Sequence, residues 1–270
     1  MEILKKISKY IRQNISEKKL DRFIGNIGAV KVEGLRPIKS RAFGKSGNLS
    51  LAGKIGQHQV KLSSMFEEDQ VGLRLRLSKM SDSIYLPNVL ASEGRLIIEE
   101  WIDGCPPGIA DRQRIRQVIF EYLSCEERFA FSSDDLNDFE YLDYLEHRVL
   151  EWSFLQGLPE FLDRWRKQRA ALANQIRPAL CNPDLSYENF VIETATKRIF
   201  MIDTEFFHVG EGWFMDHFNS AVRNEPITVK VSPEVLCFAR NCVKLRKVGS
   251  ALIVGRPDRV TSEMLEFEDG

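Results

Sequence analysis

The chain has 270 residues and a formal net charge of −1 at pH 7, from 38 basic and 39 acidic residues. This length allows two modest domains or one two-lobed unit with a substantial core, and the charge balance excludes a whole-protein attraction to nucleic acid. Five cysteines without a Cys-x-x-Cys pair, and only four histidines, exclude a zinc constellation and favour a reducing, cytoplasmic setting.

Residues 3–23 are predicted to form a basic amphipathic helix. Apolar residues recur at helical spacing, as at Ile3, Ile7 and Ile11, and lysines surround them. Such a helix can contact an anionic membrane surface, but packing as a terminal helix on the first lobe is favoured. No apolar run in the sequence approaches the ~20 residues of a membrane-spanning helix.

Predicted strands separated by glycine-containing turns follow this helix. The pattern predicts strands at 35–42, 49–55 and 59–62, with a turn at 43–48. The turn contains Gly44-Lys45-Ser46, which is not a phosphate-binding P-loop. That motif needs a glycine five residues before its second glycine, and position 39 is lysine.

A second pair of apolar strands lies between Leu86 and Gly104. A Glu93-Gly94 turn joins the two strands, which predicts a hairpin. The second strand continues into the acidic and aromatic segment Glu99-Glu100-Trp101.

Residues 111–178 have the apolar periodicity of several amphipathic helices. One stripe includes Ile115 and Ile119, another Leu142 and Leu145, and a third ends near Leu172. These stripes predict a helical body in which the apolar side chains form core. Two more helices and an acidic tail are predicted after residue 217.

The most distinctive stretch of the chain begins at Asp184. Asn189 follows five residues later, and then come an apolar run, a turn and a second apolar run that ends on Asp203. Phosphoryl transfer needs a carboxylate to receive a hydroxyl proton, with an amide and a second carboxylate to hold Mg²⁺. Mg²⁺ takes oxygen ligands and needs few of them from protein. The pattern therefore predicts a catalytic loop and a metal-binding aspartate separated by a β-hairpin.

This spacing resembles the catalytic loop of the protein-kinase-like superfamily. The run Ile202-Asp203-Thr204-Glu205 is similar to that of the aminoglycoside phosphotransferase and choline kinase branch, in which the metal aspartate opens an Ile-Asp-x-Glu sequence. The chain departs from the family at Asn182, where the family has a histidine that braces the loop. The resemblance spans about residues 35–220.

The resemblance implies an α+β, two-lobed protein-kinase-like fold. The expected organisation is an N-terminal helix at 1–20, a small nucleotide-binding lobe at 21–102, and a mainly helical lobe for catalysis and acceptor binding at 103–270. The small lobe is expected to hold an antiparallel sheet and one helix. An aspartate on a later helix is structural in the family, and Asp216 matches it.

The resemblance also implies roles for the motif residues. Asp184 is expected to deprotonate the acceptor hydroxyl, and Asn189 and Asp203 to bind Mg²⁺. Glu205 is expected near a second metal ion or the acceptor.

The nucleotide-binding residues are expected in the small lobe. Lys61 is expected to contact the α- and β-phosphates of ATP, with Lys54 and Lys45 as alternatives, and Glu68 is the expected helix partner of this lysine. Adenine is expected to contact the backbone of the connector, the segment that joins the two lobes, at Glu100, Trp101 and Ile102.

The sequence therefore predicts an ATP- and Mg²⁺-dependent phosphotransferase acting on a hydroxyl of a small molecule of aminoglycoside, choline or sugar type. Two alternatives stay open. Asn182 in place of histidine motivates a nucleotide-binding pseudokinase that acts as an interaction protein. The basic N-terminal helix motivates a kinase for a large acceptor such as a lipopolysaccharide core sugar.

Overall fold

The computed structural model of the chain describes residues 26–27, 30–38, 50–218, 222 and 231–269. The predicted N-terminal helix and the predicted turn with Lys45 lie outside these ranges. The chain divides into two compact units. Unit 1 comprises the described residues up to Val118 together with Tyr187–Phe207, and unit 2 comprises Ile119–Ser186 together with the described residues from His208 onward.

The described chain alternates strands and helices. The strands are β1 (Asn26–Ile27), β2 (Val30–Lys31), β3 (Glu33–Pro37), β4 (Ser50–Ile55), β5 (His58–Ser64), β6 (Ile84–Tyr85), β7 (Val89–Glu93), β8 (Leu96–Glu100), β9 (Gly104–Cys105), β10 (Ala179–Cys181), β11 (Phe190–Glu193), β12 (Ile199–Met201) and β13 (His208–Gly210). The α-helices are α1 (Asp69–Arg76), α2 (Arg112–Ser124), α3 (Tyr141–Leu150), α4 (Leu158–Leu172), α5 (Pro233–Ile253) and α6 (Ser262–Leu265).

Unit 1 is built on a five-stranded antiparallel sheet with the order β3-β4-β5-β8-β7. Side chains alternate between its two faces because successive residues of a strand point in opposite directions. Val60, Leu62 and Ile98 belong to a core cluster on one face. On the other face, Ile97 packs with Val71 of α1.

A second sheet of unit 1 has the order β6-β12-β11-β9. The predicted hairpin after Asn189 is present as β11 and β12, which pair with Phe190 opposite Met201. Gly104 of β9 lies very close to β11, because a Cβ atom at this position would be 2.4 Å from the carbonyl oxygen of Ile192. This close approach requires glycine at position 104.

Unit 2 is mainly helical, as the periodicity of residues 111–178 predicts. Its long helix α5 packs against α3 and α4. Trp165 of α4 is buried, packs on Phe238 of α5, and donates its indole N–H to Cys242 Sγ at 3.3 Å. Strands β10 and β13 form an antiparallel pair in the same unit. Among the described residues, no helix has the length and apolar character needed to cross a membrane.

Candidate active site

The β11–β12 hairpin places Asn189 and Asp203 at the same end of unit 1. A 3₁₀ turn over Tyr187–Asn189 leads into β11, and the Ile202 N–H donates to the Asn189 carbonyl at 2.8 Å. Asp203 follows Ile202 directly, so the amide and the carboxylate lie on adjacent ends of paired strands. The structure thus brings together the two residues predicted to bind Mg²⁺.

Lys61 reaches the same end of the hairpin from the five-stranded sheet. Its ammonium Nζ donates to the carbonyl oxygen of Ile202 at 2.5 Å. Lys61, Asn189 and Asp203 therefore all converge on Ile202. The alternative Lys54 lies on β4, where its side chain is exposed, and the geometry favours Lys61.

The segment that follows Asp203 is fixed by the buried side chain of Gln70 in α1. Its Nε2 donates to the carbonyl of Glu205 at 3.1 Å and to that of Phe207 at 2.9 Å. A ring contact between Phe66 and Phe206, with centroids 5.1 Å apart, adds to this attachment. Helix α1 therefore holds the backbone at Glu205, the residue predicted near a second metal ion or the acceptor, through the amide of Gln70.

Glu68 does not occupy the position expected of a helix partner for Lys61. It is the N-cap residue of α1 and is exposed, and no ion pair joins it to Lys61 within the described part of the chain. The buried acid on this side of the sheet is Glu99 of β8, whose Oε1 forms an ion pair with Arg74 at 3.0 Å. Sequence reasoning missed Glu99, although its alternation with Ile97 places it on the covered face.

The predicted adenine-binding connector begins where β8 ends. The Glu100 N–H donates to the carbonyl of Asn88 at 2.9 Å, and the Glu100 carboxylate accepts from both Asn88 N and Asn88 Nδ2 at 3.0 Å. The backbone N–H of Glu100 is therefore already used within the sheet. Trp101 is exposed and Ile102 is half-buried.

Asp184 lies in unit 2, five residues before Asn189 in the chain, and Asn182 holds the backbone of its loop. The Oδ1 atom of buried Asn182 accepts from the Asp184 N–H at 3.1 Å. The Asn182 N–H in turn donates to Asp216 Oδ2 at 3.0 Å. The asparagine that replaces the family histidine therefore braces the loop through its own side chain.

Asp216 anchors this loop from a fully buried position. Its Oδ2 also accepts from Arg128 Nη2 at 2.6 Å and from the Tyr122 hydroxyl at 3.4 Å. Burial raises the pKa of Asp216 to about 6, although the Arg128 guanidinium opposes this shift. Burial and the same guanidinium lower the pKa of His217 to about 3, which keeps its imidazole neutral. The two histidines near this loop, His208 and His217, are buried.

The donor set fits Mg²⁺ in chemical type. Asn189 offers an amide oxygen and Asp203 a carboxylate, which are the hard oxygen ligands that Mg²⁺ prefers, and the ion usually retains several waters. In the described ranges, no three His, Cys, Asp or Glu side chains cluster as a metal site.

No protein-family model and no curated protein sequence matches the chain. Solved structures do match it. The choline kinase LicA from Streptococcus pneumoniae aligns with a TM-score of 0.57 at 14% identity, over 94% of this chain and 99% of that one. The aminoglycoside phosphotransferase APH(4)-Ia aligns with a TM-score of 0.55 at 14% identity, over 94% and 98%.

Spectinomycin phosphotransferase APH(9)-Ia, in a complex with ADP and spectinomycin, aligns with a TM-score of 0.51 at 11% identity, over 94% of both chains. The predicted resemblance to the aminoglycoside phosphotransferase and choline kinase branch is thus confirmed at the level of fold. The chain has a mixed α+β, protein-kinase-like fold, as the motif between Asp184 and Glu205 predicts.

Proposed function

We propose that the protein is an ATP- and Mg²⁺-dependent phosphotransferase that acts on a hydroxyl group of a small molecule. The observation that supports this most is the convergence of Lys61, Asn189 and Asp203 on Ile202. Lys61 lies in a different sheet from the hairpin that carries Asn189 and Asp203, and more than a hundred positions before them in the chain. Their chemistry is a cation for phosphate oxygens and two oxygen ligands for a hard metal ion.

Each residue has one task in this proposal. Asp184 orients the acceptor hydroxyl and accepts its proton as the oxygen attacks the γ-phosphorus, and ADP leaves. Asn189 and Asp203 hold the metal, and Lys61 holds the α- and β-phosphates. When bound with ATP, Mg²⁺ neutralises the charge that develops on the phosphoryl oxygens. Glu205 is assigned to a second metal ion or to the acceptor.

The acceptor class is proposed from the solved structures that share the fold. They are a choline kinase, a spectinomycin phosphotransferase and APH(4)-Ia, which forms a ternary complex with ADP and hygromycin B. A hydroxyl-bearing small molecule of choline, aminoglycoside or sugar type is therefore the first acceptor to test.

The first experiment measures nucleotide binding by thermal shift, with ATP or ADP and with or without Mg²⁺. A ligand at about 100 times its Kd adds about 2.7 kcal/mol to the free energy of unfolding. We expect a Mg²⁺-dependent shift for the native protein that disappears in Asp203→Ala. The control variant Asp163→Ala, which removes an exposed acid in unit 2, should keep the full shift.

The second experiment separates binding from turnover. Asp184→Asn keeps the shape of the side chain but removes the proton acceptor, so we expect nucleotide binding to persist while phosphotransfer falls about 10²- to 10⁴-fold. ADP release is measured with a panel of choline, aminoglycosides and sugars. Full phosphotransfer by Asp184→Asn would contradict the role of Asp184. Nucleotide binding by the native protein without turnover of any acceptor would favour the pseudokinase alternative.

A further inference from the structure

Glu99 lies opposite Lys61 on the neighbouring strand of the five-stranded sheet. Their Cα atoms are register partners in the antiparallel pair of β5 and β8. Directly opposite residues of such a pair point to the same face, with Cβ atoms about 4.5–5.5 Å apart. This face is the one that α1 covers, because Ile97, two residues before Glu99, packs with Val71 of α1. The two side chains therefore start from the same face of the sheet, beneath the helix.

The carboxylate of Glu99 connects three elements around the predicted phosphate-binding lysine. Oε1 accepts from Arg74 Nη2 of α1 at 3.0 Å and from the hydroxyl of Thr204 at 3.5 Å. Thr204 directly follows the predicted metal ligand Asp203. Helix α1, strand β8 and the Asp203 segment thus meet at one buried carboxylate.

The second oxygen of this carboxylate has unused capacity to accept a hydrogen bond. Glu99 is fully buried, and its Oε2 has no hydrogen-bond partner among the described residues. A buried carboxylate oxygen without a partner is costly, so such an atom is expected to serve a further cation or donor. The cationic side chain on the same face of the adjacent strand is Lys61, whose Nζ is held on Ile202 O.

We propose that Glu99 is the positioning residue for Lys61 and Asp203, the task that the sequence assigned to Glu68. This inference rests on the proposed function of the same site. The Glu99 carboxylate places a buried negative charge on the same face of the sheet as the Lys61 ammonium, which donates to Ile202 O and forms no direct ion pair with Glu99 among the described residues. Through Thr204 it also fixes the segment of Asp203. Arg74 balances the charge of the carboxylate. In this proposal an acidic residue on strand β8 takes the role that the sequence assigns to an acidic residue of helix α1.

The competing explanation is that Arg74 and Glu99 form a structural ion pair and nothing more. Removing one partner leaves a buried charge and destabilises the fold, so single variants do not separate the two explanations. The double variant Arg74→Met/Glu99→Met removes both charges and retains comparable apolar volume, which often leaves stability unchanged. The control Lys79→Met/Asp82→Asn removes an exposed ion pair of unit 1.

The test measures the Kd of ATP–Mg²⁺ by calorimetry and the KM for ATP and for the acceptor. We expect Arg74→Met/Glu99→Met to fold and to weaken ATP binding about 10- to 100-fold, which is the value of one or two charge-assisted hydrogen bonds. The KM for the acceptor should stay unchanged. The control variant should bind ATP as the native protein does.

A double-mutant cycle with Lys61→Met gives the sharpest comparison. If Glu99 acts through Lys61, the change at Arg74 and Glu99 should weaken ATP binding much less in the Lys61→Met background than in the native one. Equal losses in both backgrounds, or a native Kd for Arg74→Met/Glu99→Met, would overturn the inference and leave the proposed function standing. Absence of nucleotide binding by the native protein would overturn both.

Discussion

The buried pair of Arg128 and Asp216 in unit 2 allows a prediction in which the two halves of one ion pair behave differently. Asp216→Asn leaves a guanidinium that cannot lose its proton in a position that is 1% exposed. We expect a loss of about 3–5 kcal/mol in the free energy of unfolding, the usual cost of an uncompensated buried charge. Between pH 6.5 and 8 this loss should not depend on pH.

Arg128→Met leaves the carboxyl group instead, and a carboxyl group can bind a proton. The pKa of Asp216 is already raised to about 6 by burial, and loss of the guanidinium raises it further. The folded state then holds a proton that the unfolded state has released, so stability falls as pH rises toward the new pKa. At no more than about 1.4 kcal/mol per pH unit, the loss between pH 6.5 and 8 is at most about 2 kcal/mol.

The assay is urea unfolding of the native protein and both variants at a series of pH values from 6.5 to 8. We expect parallel curves for the native protein and Asp216→Asn, and a descending curve for Arg128→Met. His217 does not distinguish the three proteins. Its pKa is about 3 in the folded state, and protonation of the unfolded imidazole, with a pKa of about 6.5, adds the same small change to every curve near the lower end of the window. If Arg128→Met follows the native protein across the window, the account of Asp216 as a desolvated anchor is wrong.

Two other changes have calculable outcomes. The lowered pKa of His217 means that its contribution to stability is present above pH 6.5 and is lost as pH falls toward 3. Between pH 6.5 and 4.5 the native protein should therefore lose about 2–3 kcal/mol more than His217→Gln in urea unfolding, and equal losses would contradict this. Gly104→Ala places a methyl group 2.4 Å from Ile192 O. We expect a cost of about 1–3 kcal/mol, whereas Gly94→Ala, which meets no atom within 4 Å but has a φ of +53°, should cost only about 1 kcal/mol.

The sequence predicts the hairpin, and the placement of Asn189 and Asp203 at its end, because the determinants of strand pairing are local. Asn189 and Asp203 are separated by two apolar strands and a turn, and strand pairing alone brings them together. The order of elements in the resembling family points to Lys61, and the contact of Lys61 with Ile202 agrees with this assignment.

The acid proposed to position Lys61 could not be deduced in this way. The family pattern directs attention to acids of the helix after Lys61, where Glu68 is available. Glu99 becomes relevant only through the register of β5 and β8 and through the buried Arg74, both of which are tertiary features. A buried glutamate within an apolar strand was the one local signal, because charged residues are rarely fully buried without a partner.

The replacement of histidine by Asn182 illustrates a different limit. From the sequence it counts as a departure that weakens the case for activity. The structure shows that the asparagine side chain accepts the Asp184 N–H while its own N–H donates to Asp216. Asparagine commonly binds nearby backbone amides in this way, which is a local interaction that a motif comparison does not evaluate.

The discontinuous composition of unit 1 has a consequence for how the protein is made. Strands β11 and β12 complete the sheet that contains β6 and β9, yet about 85 residues separate β9 from β11 in the chain. During synthesis, β6 and β9 emerge first. They remain without their partner strands until the ribosome has added the helical segment that separates β9 from β11. At about 5–20 residues per second this interval lasts several seconds. A fragment ending at Val118 is therefore expected to expose unpaired strand edges and to aggregate.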